Sequence, residues 1–137
     1  MSEDDKESMP DQYKTVSLEE FVEYSKSMFA YWTEDDFASS FRKMLTIEQF
    51  RSEEMQGLYQ QYLSSGPAAY VKDLFESMGI AHAEENAVRF YATMYFYYSV
   101  YDGADDKEKV KKEFASAIGI MAQEWIKQPK LTQIRKS

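Results

Sequence analysis

Cysteine is missing altogether from this chain of 137 residues, and histidine occurs once, at His82. The first absence removes a disulfide framework, a thiolate zinc site and a cysteine nucleophile. The second leaves no cluster of metal ligands, because metal sites need several donors together. No Glu-x-x-His pair occurs, so the di-iron helical bundles are excluded. One isolated histidine in the connection 79–83 assembles no Ser–His–Asp or Cys–His constellation. No glycine-rich phosphate loop is present either. The expectation is a protein that is not an enzyme, with no metal and no cofactor.

Helix breakers are scarce too, with 5 glycines and 3 prolines. Basic residues are outnumbered, 16 Lys and Arg against 24 Asp and Glu, for a net charge of −8. Nucleic-acid affinity comes mostly from cationic side chains on phosphates, so such a chain is ill suited to bind DNA by itself. It is equally ill suited to an anionic membrane surface. The longest uncharged run, Phe90 to Tyr101, is too short for a span of ~20 residues and is rich in tyrosine. The acidic opening Met1 to Glu7 is followed by no apolar signal region, and the expected location is cytoplasmic.

What is abundant is bulk: 11 Tyr, 9 Phe, 2 Trp and 8 Met. With so few breakers, these imply long helices around a large core. Residues 1–16 read as a flexible acidic lead-in and 129–137 as a basic tail, leaving one domain over 17–128.

Six helices are expected. Ser17 with Glu20 forms a capping box, followed by the stripe Leu18, Phe21, Val22, Ser25, Met28, Phe29 and Trp32. Thr33 with Asp36 repeats the cap before Phe37, Phe41, Met44 and Leu45. Ser52 caps a third helix that faces Met55, Leu58, Tyr59, Tyr62 and Leu63 inward. Pro67 suits the first position of a fourth helix, which bears Tyr70, Val71, Leu74, Phe75 and Met78. Gly79 is placed to end that helix in a left-handed turn, with Ile80 following. The acidic pairs at the starts of these helices are explained by the helix dipole.

The fifth helix, Glu84 to about Tyr101, is uncharged between Arg89 and Asp102 and apolar on every face. Such a helix must be buried all round, and one small domain cannot do that alone. Asp105 with Glu108 caps the sixth. That helix carries a large stripe of Val110, Phe114, Ile118 or Ala117, Met121 and Trp125. A second, smaller stripe is Ala115, Gly119, Ala122 and Ile126. The expected fold is an all-α bundle. Its last two helices pair with those of a second copy as a dimeric four-helix bundle. Phe96, Tyr97, Val100, Ala115, Gly119, Ala122 and Ile126 are the interface candidates.

Methionine is adaptable and tyrosine brings a hydroxyl that needs a partner, so together they suit a cavity for flat or greasy molecules. The ligand candidates are Met28, Trp32, Phe41, Met44, Tyr59, Tyr62, Tyr91 and Tyr95, from the inward stripes of the first, second, third and fifth helices.

The run from Arg42 to Arg51, followed by Glu54-Met55 and by Leu58 to Tyr62, resembles a stretch of the TetR/AcrR family of bacterial transcription regulators. Tyr91-Ala92 and Tyr101-Asp102 echo the same family. The resemblance runs from about Ser17 to Lys127. It implies the C-terminal regulatory domain, which binds a small effector and dimerises through its last two helices; the ligand candidates above suggest that this effector is apolar or aromatic. In that family the effector changes the spacing of two N-terminal helix-turn-helix domains, which must meet successive major grooves of operator DNA. Such a domain needs roughly fifty residues before Ser17, and the acidic lead-in is too short to hold it. Any DNA contact is therefore expected only through a module absent from this chain. The alternative is a helical dimerisation module without a ligand, which an interior lacking any cavity above about 300 Å³ would favour.

Overall fold

The computed structural model describes residues 16–127, and among these every regular element is a helix. Residues 1–15 and 128–137 lie outside the described residues, and with them the expected basic tail 129–137 and all but the last residue of the expected lead-in 1–16. The elements are α1 (Leu18–Glu34), α2 (Asp36–Glu48), α3 (Glu53–Leu63), α4 (Ser65–Ser77), α5 (Ala83–Gly103) and α6 (Lys107–Lys127).

Local chemistry sets the ends. The Ser17 hydroxyl accepts the Glu20 N–H at 3.0 Å, and the Ser52 hydroxyl accepts that of Met55 at 3.1 Å. Each such cap contributes about 1 kcal/mol. The second cap differs from expectation. Asp35, not Thr33, begins α2, its carboxylate accepting the Ala38 N–H at 2.9 Å. Thr33 is buried inside α1, where its hydroxyl donates to the Phe29 carbonyl at 2.6 Å. Asp106, one residue past the expected Asp105, holds the Lys109 N–H at the start of α6.

Gly79 ends α4 as the sequence suggests. Its φ of 76° places it in the left-handed region, Ile80 N–H reaches the Phe75 carbonyl, and Gly79 N–H reaches that of Glu76. These two bonds form a Schellman motif. Pro67 sits third in α4 rather than first, still within the turn whose N–H groups need no helical partner. Gly66 is fixed by space, since a Cβ there would lie 2.2 Å from the Gln61 carbonyl oxygen. The tight corner between α3 and α4 therefore needs a glycine.

The helices α1, α4, α5 and α6 enclose the main core. Phe21, Phe75, Phe90 and Trp125 form one aromatic cluster, with ring centroids 4.7–6.2 Å apart. Phe29 stacks on Phe114 at 4.3 Å and on Tyr98 at 5.7 Å. A smaller core of Leu45, Tyr59 and Leu63 lies between α2 and α3, with Trp32 reaching it from α1.

The face of α2 is the clearest departure from the expected stripe. Ala38, Ser39, Arg42 and Leu45 are buried, whereas Phe37 is 74% exposed and Met44 is 38% exposed. Small Ala38 and Ser39 let α2 lie close to its neighbours. Arg42 turns inward because a carboxylate waits there. Its guanidinium donates to both oxygens of Asp102, at 2.8 and 2.9 Å, and to the Trp32 carbonyl at 3.1 Å.

Candidate functional site

A cavity of about 270 Å³ opens between α1, the α3–α4 corner and α5. Its inner wall is Phe21, Ser25, Phe90, Tyr91, Met94 and Tyr98, and its sides are Met28, Trp32 and Val71. The rim is Tyr24, Gln61, Tyr62 and Tyr70, all of them exposed. The tight turn at Gly66 places the start of α4 beside the end of α3, which brings Tyr62 and Tyr70 to one mouth.

The polar groups of the wall differ in their engagement. Ser25 donates to the Phe21 carbonyl at 2.8 Å, and Tyr91 donates to the Leu63 carbonyl at 2.6 Å. The Tyr91 bond satisfies a carbonyl at the end of α3, where the helix leaves it without a partner. Tyr98 is 3% exposed and its ring lies 4.9 Å from the Arg42 guanidinium carbon. No Asp, Glu, Lys or Arg lines the cavity.

A second, open groove of about 510 Å³ lies beyond Tyr91, between the α3–α4 corner and the outer face of α5. Tyr59 and Tyr95 line it and share a hydroxyl–hydroxyl hydrogen bond. Val88, Ala92, Phe96 and Ser99 continue its α5 wall, with Val88 and Phe96 more than half exposed.

Of the eight ligand candidates, Met28, Trp32, Tyr62 and Tyr91 line the cavity, and Tyr59 and Tyr95 line the groove. Phe41 lines neither and packs on Tyr62 at 5.4 Å instead. Met44 is corrected: it lies on the outer face of α2 and lines neither space, because the inward position is taken by Arg42. Sequence reasoning missed Tyr98 and Met94. An uncharged helix has no distinguishable inner face, so nothing in its pattern separates these two from their neighbours.

Of the interface candidates, Phe96 and Ile126 are exposed, at 59% and 68%. Tyr97, Val100, Ala115 and Gly119 are half-buried, and a Cβ on Gly119 would meet nothing within 4 Å. Ala122 is corrected. It is buried in the main core of its own chain, one turn before Trp125, and so is not on the outer face of α6.

Burial raises the pKa of Tyr91 and of Tyr98 well above the ordinary 10.0, and Arg42 only partly opposes the rise. Tyr95 is pushed up to about 12, by burial first and then by its bond to Tyr59. The unfolded chain therefore releases these protons first, near pH 10. The bundle keeps this stabilisation below about pH 10 and loses it as the pH rises towards 12. Stability should fall by about 1.4 kcal/mol per pH unit for each of Tyr91 and Tyr98. Tyrosinate absorbance should appear together with loss of helical circular dichroism. Smooth ionisation of every tyrosine near pH 10 with the helices intact would contradict this.

Among the described residues no group of three or more His, Asp or Glu is placed to hold a metal ion. None of their helices is long and apolar enough to cross a membrane. The molecule is thus a helical bundle around an uncharged aromatic cavity. No family model, curated protein or solved structure matches the chain.

Proposed function

We propose that this chain is the effector-binding and dimerisation domain of a TetR-type transcription regulator. The observation that carries the reading is the cavity between α1, the α3–α4 corner and α5. Its walls are aromatic rings and methionines, and its mouth is open to small molecules. The resemblance of the Arg42–Tyr62 segment supports the family. The outer face of α5 and α6 supports the homodimer, because Phe96, Ile120 and Ile126 remain exposed on the last two helices. In this reading an occupied cavity favours one spacing of the α5–α6 hairpins across the dimer. Operator DNA responds through a helix-turn-helix module joined to the domain.

A second reading is a helical dimerisation module without a ligand. It is favoured by the cavity volume of about 270 Å³, just under the ordinary range of ligand sites, with the larger space of about 510 Å³ being an open surface groove.

Native mass spectrometry of the freshly purified chain tests both. The expected result is a dimer with added mass on each subunit, and a dimer without bound mass after extraction with organic solvent. Phe96→Glu should convert it to monomer with helical content unchanged, weakening association by roughly a hundredfold through a desolvated charge. A strict monomer across micromolar concentrations would remove the regulator assignment.

A further inference from the structure

Among the hydroxyls of the inner wall, that of Tyr98 is the one to which its own chain gives no hydrogen bond. Ser25 and Tyr91 spend their protons on backbone carbonyls. Tyr98 is held by its ring alone, against Phe29, Tyr95 and the Arg42 guanidinium. No fully buried side-chain nitrogen or oxygen among the described residues lacks a hydrogen-bond partner. The Tyr98 oxygen is therefore not sealed in the core, and the free space that its ring borders is the cavity.

Three further observations narrow what belongs there. The cavity holds no ionisable acid or base besides tyrosine, so a charged ligand would lose its hydration and gain no counter-charge. The Arg42 charge beside the Tyr98 ring draws electron density from the phenol, makes the hydroxyl a better donor and repels a cation. That charge is itself matched by Asp102, at 2.8 Å, so it is not spare for an anion. Burial keeps Tyr98 protonated and hence a donor. Finally, a dry cavity of about 150 Å³ holds one benzene ring. The 270 Å³ here matches about two fused rings.

We propose that the cavity binds a neutral, planar molecule of about two fused rings, whose carbonyl, ether or ring nitrogen accepts a hydrogen bond from Tyr98. The inference rests on the reading of the cavity as an effector site. It adds the ligand class and the anchor.

Four probes on one naphthalene frame decide it: naphthyl methyl ketone, ethylnaphthalene, naphthoate and naphthylmethylammonium, all substituted at the same ring position. Their affinities are measured by ligand-observed NMR titration against the full chain and against Tyr98→Phe. The substitution removes no intrachain hydrogen bond, and circular dichroism checks the fold. The ketone should bind at least about tenfold more tightly than either ion, because a buried unpaired charge costs more than one hydrogen bond returns. Tyr98→Phe should weaken the ketone about fivefold and leave ethylnaphthalene within about twofold. Tightest binding by an ion, or equal effects of Tyr98→Phe on ketone and hydrocarbon, would overturn the ligand class while leaving a working cavity. Failure of all four probes to bind would overturn the effector site itself. Were Tyr98→Phe not to fold, the ketone-against-ion comparison on the natural chain would still decide the charge preference.

Discussion

Asp102→Ala is expected to destabilise the bundle by about 3 kcal/mol, towards the lower end of what an uncompensated buried charge costs. Arg42 is the reason. Its side chain is 6% exposed and makes paired hydrogen bonds to Asp102, which is itself 28% exposed. Without the carboxylate the guanidinium keeps only the Trp32 carbonyl and the Tyr98 ring. Water entering along the partly open Asp102 side moderates the loss. The asymmetry of buried pairs gives the sharper test. Replacing both partners, Arg42→Met with Asp102→Ala, removes the stranded charge and should recover at least half of the loss. Urea denaturation of the single and double variants measures both quantities. A loss below about 1 kcal/mol for Asp102→Ala would mean that the pair is no more than a surface ion pair.

Phe75→Ala should cost about 3–5 kcal/mol, as truncations of large buried aromatics do. Phe75 is 0% exposed and its ring meets Phe21, Phe90 and Trp125, one residue from each of the other three core helices. No single neighbour can fill the space, because each is held by the remaining two. The melting temperature should drop by on the order of 10 °C or more. Phe75→Leu, which keeps much of the volume, should cost less than half as much. Equal effects of the two substitutions would show that the cluster relaxes around the gap and is not the rigid centre of the bundle.

The two substitutions probe different kinds of information in the chain. Phe75 belongs to a stripe in α4 that recurs at helical spacing, and its burial is legible from the sequence. The same holds for the stripes of α1, α3 and α6, and for the ends set by Ser17, Ser52 and Gly79. Each is a local rule acting over four or five residues. Arg42 was not legible as a buried residue. In α2 the larger apolar side chains, Phe37, Phe41 and Met44, mark one face, and the helix buries another. The choice was made by a carboxylate 60 positions further along the chain. No window of helical length contains that partner.

The cavity divides in the same way. Its aromatic and methionine character was readable, and so were Met28 and Trp32 as positions on the inward stripe of α1, whereas Tyr62, expected to face inward, stands exposed at the rim. That they share one space depends on the corner at Gly66. That the Tyr91 hydroxyl is engaged depends on the Leu63 carbonyl, which α3 brings to it across 28 positions.

By itself, the sequence determined the helical class and the spacing of the breaks, because composition, caps and periodicity act locally. Only the tertiary structure decided which face of α2 and of the uncharged α5 turns inward, and which side chains share the cavity. Those outcomes follow from pairings between distant segments, and a helix without a polar face carries no local signal to choose among them.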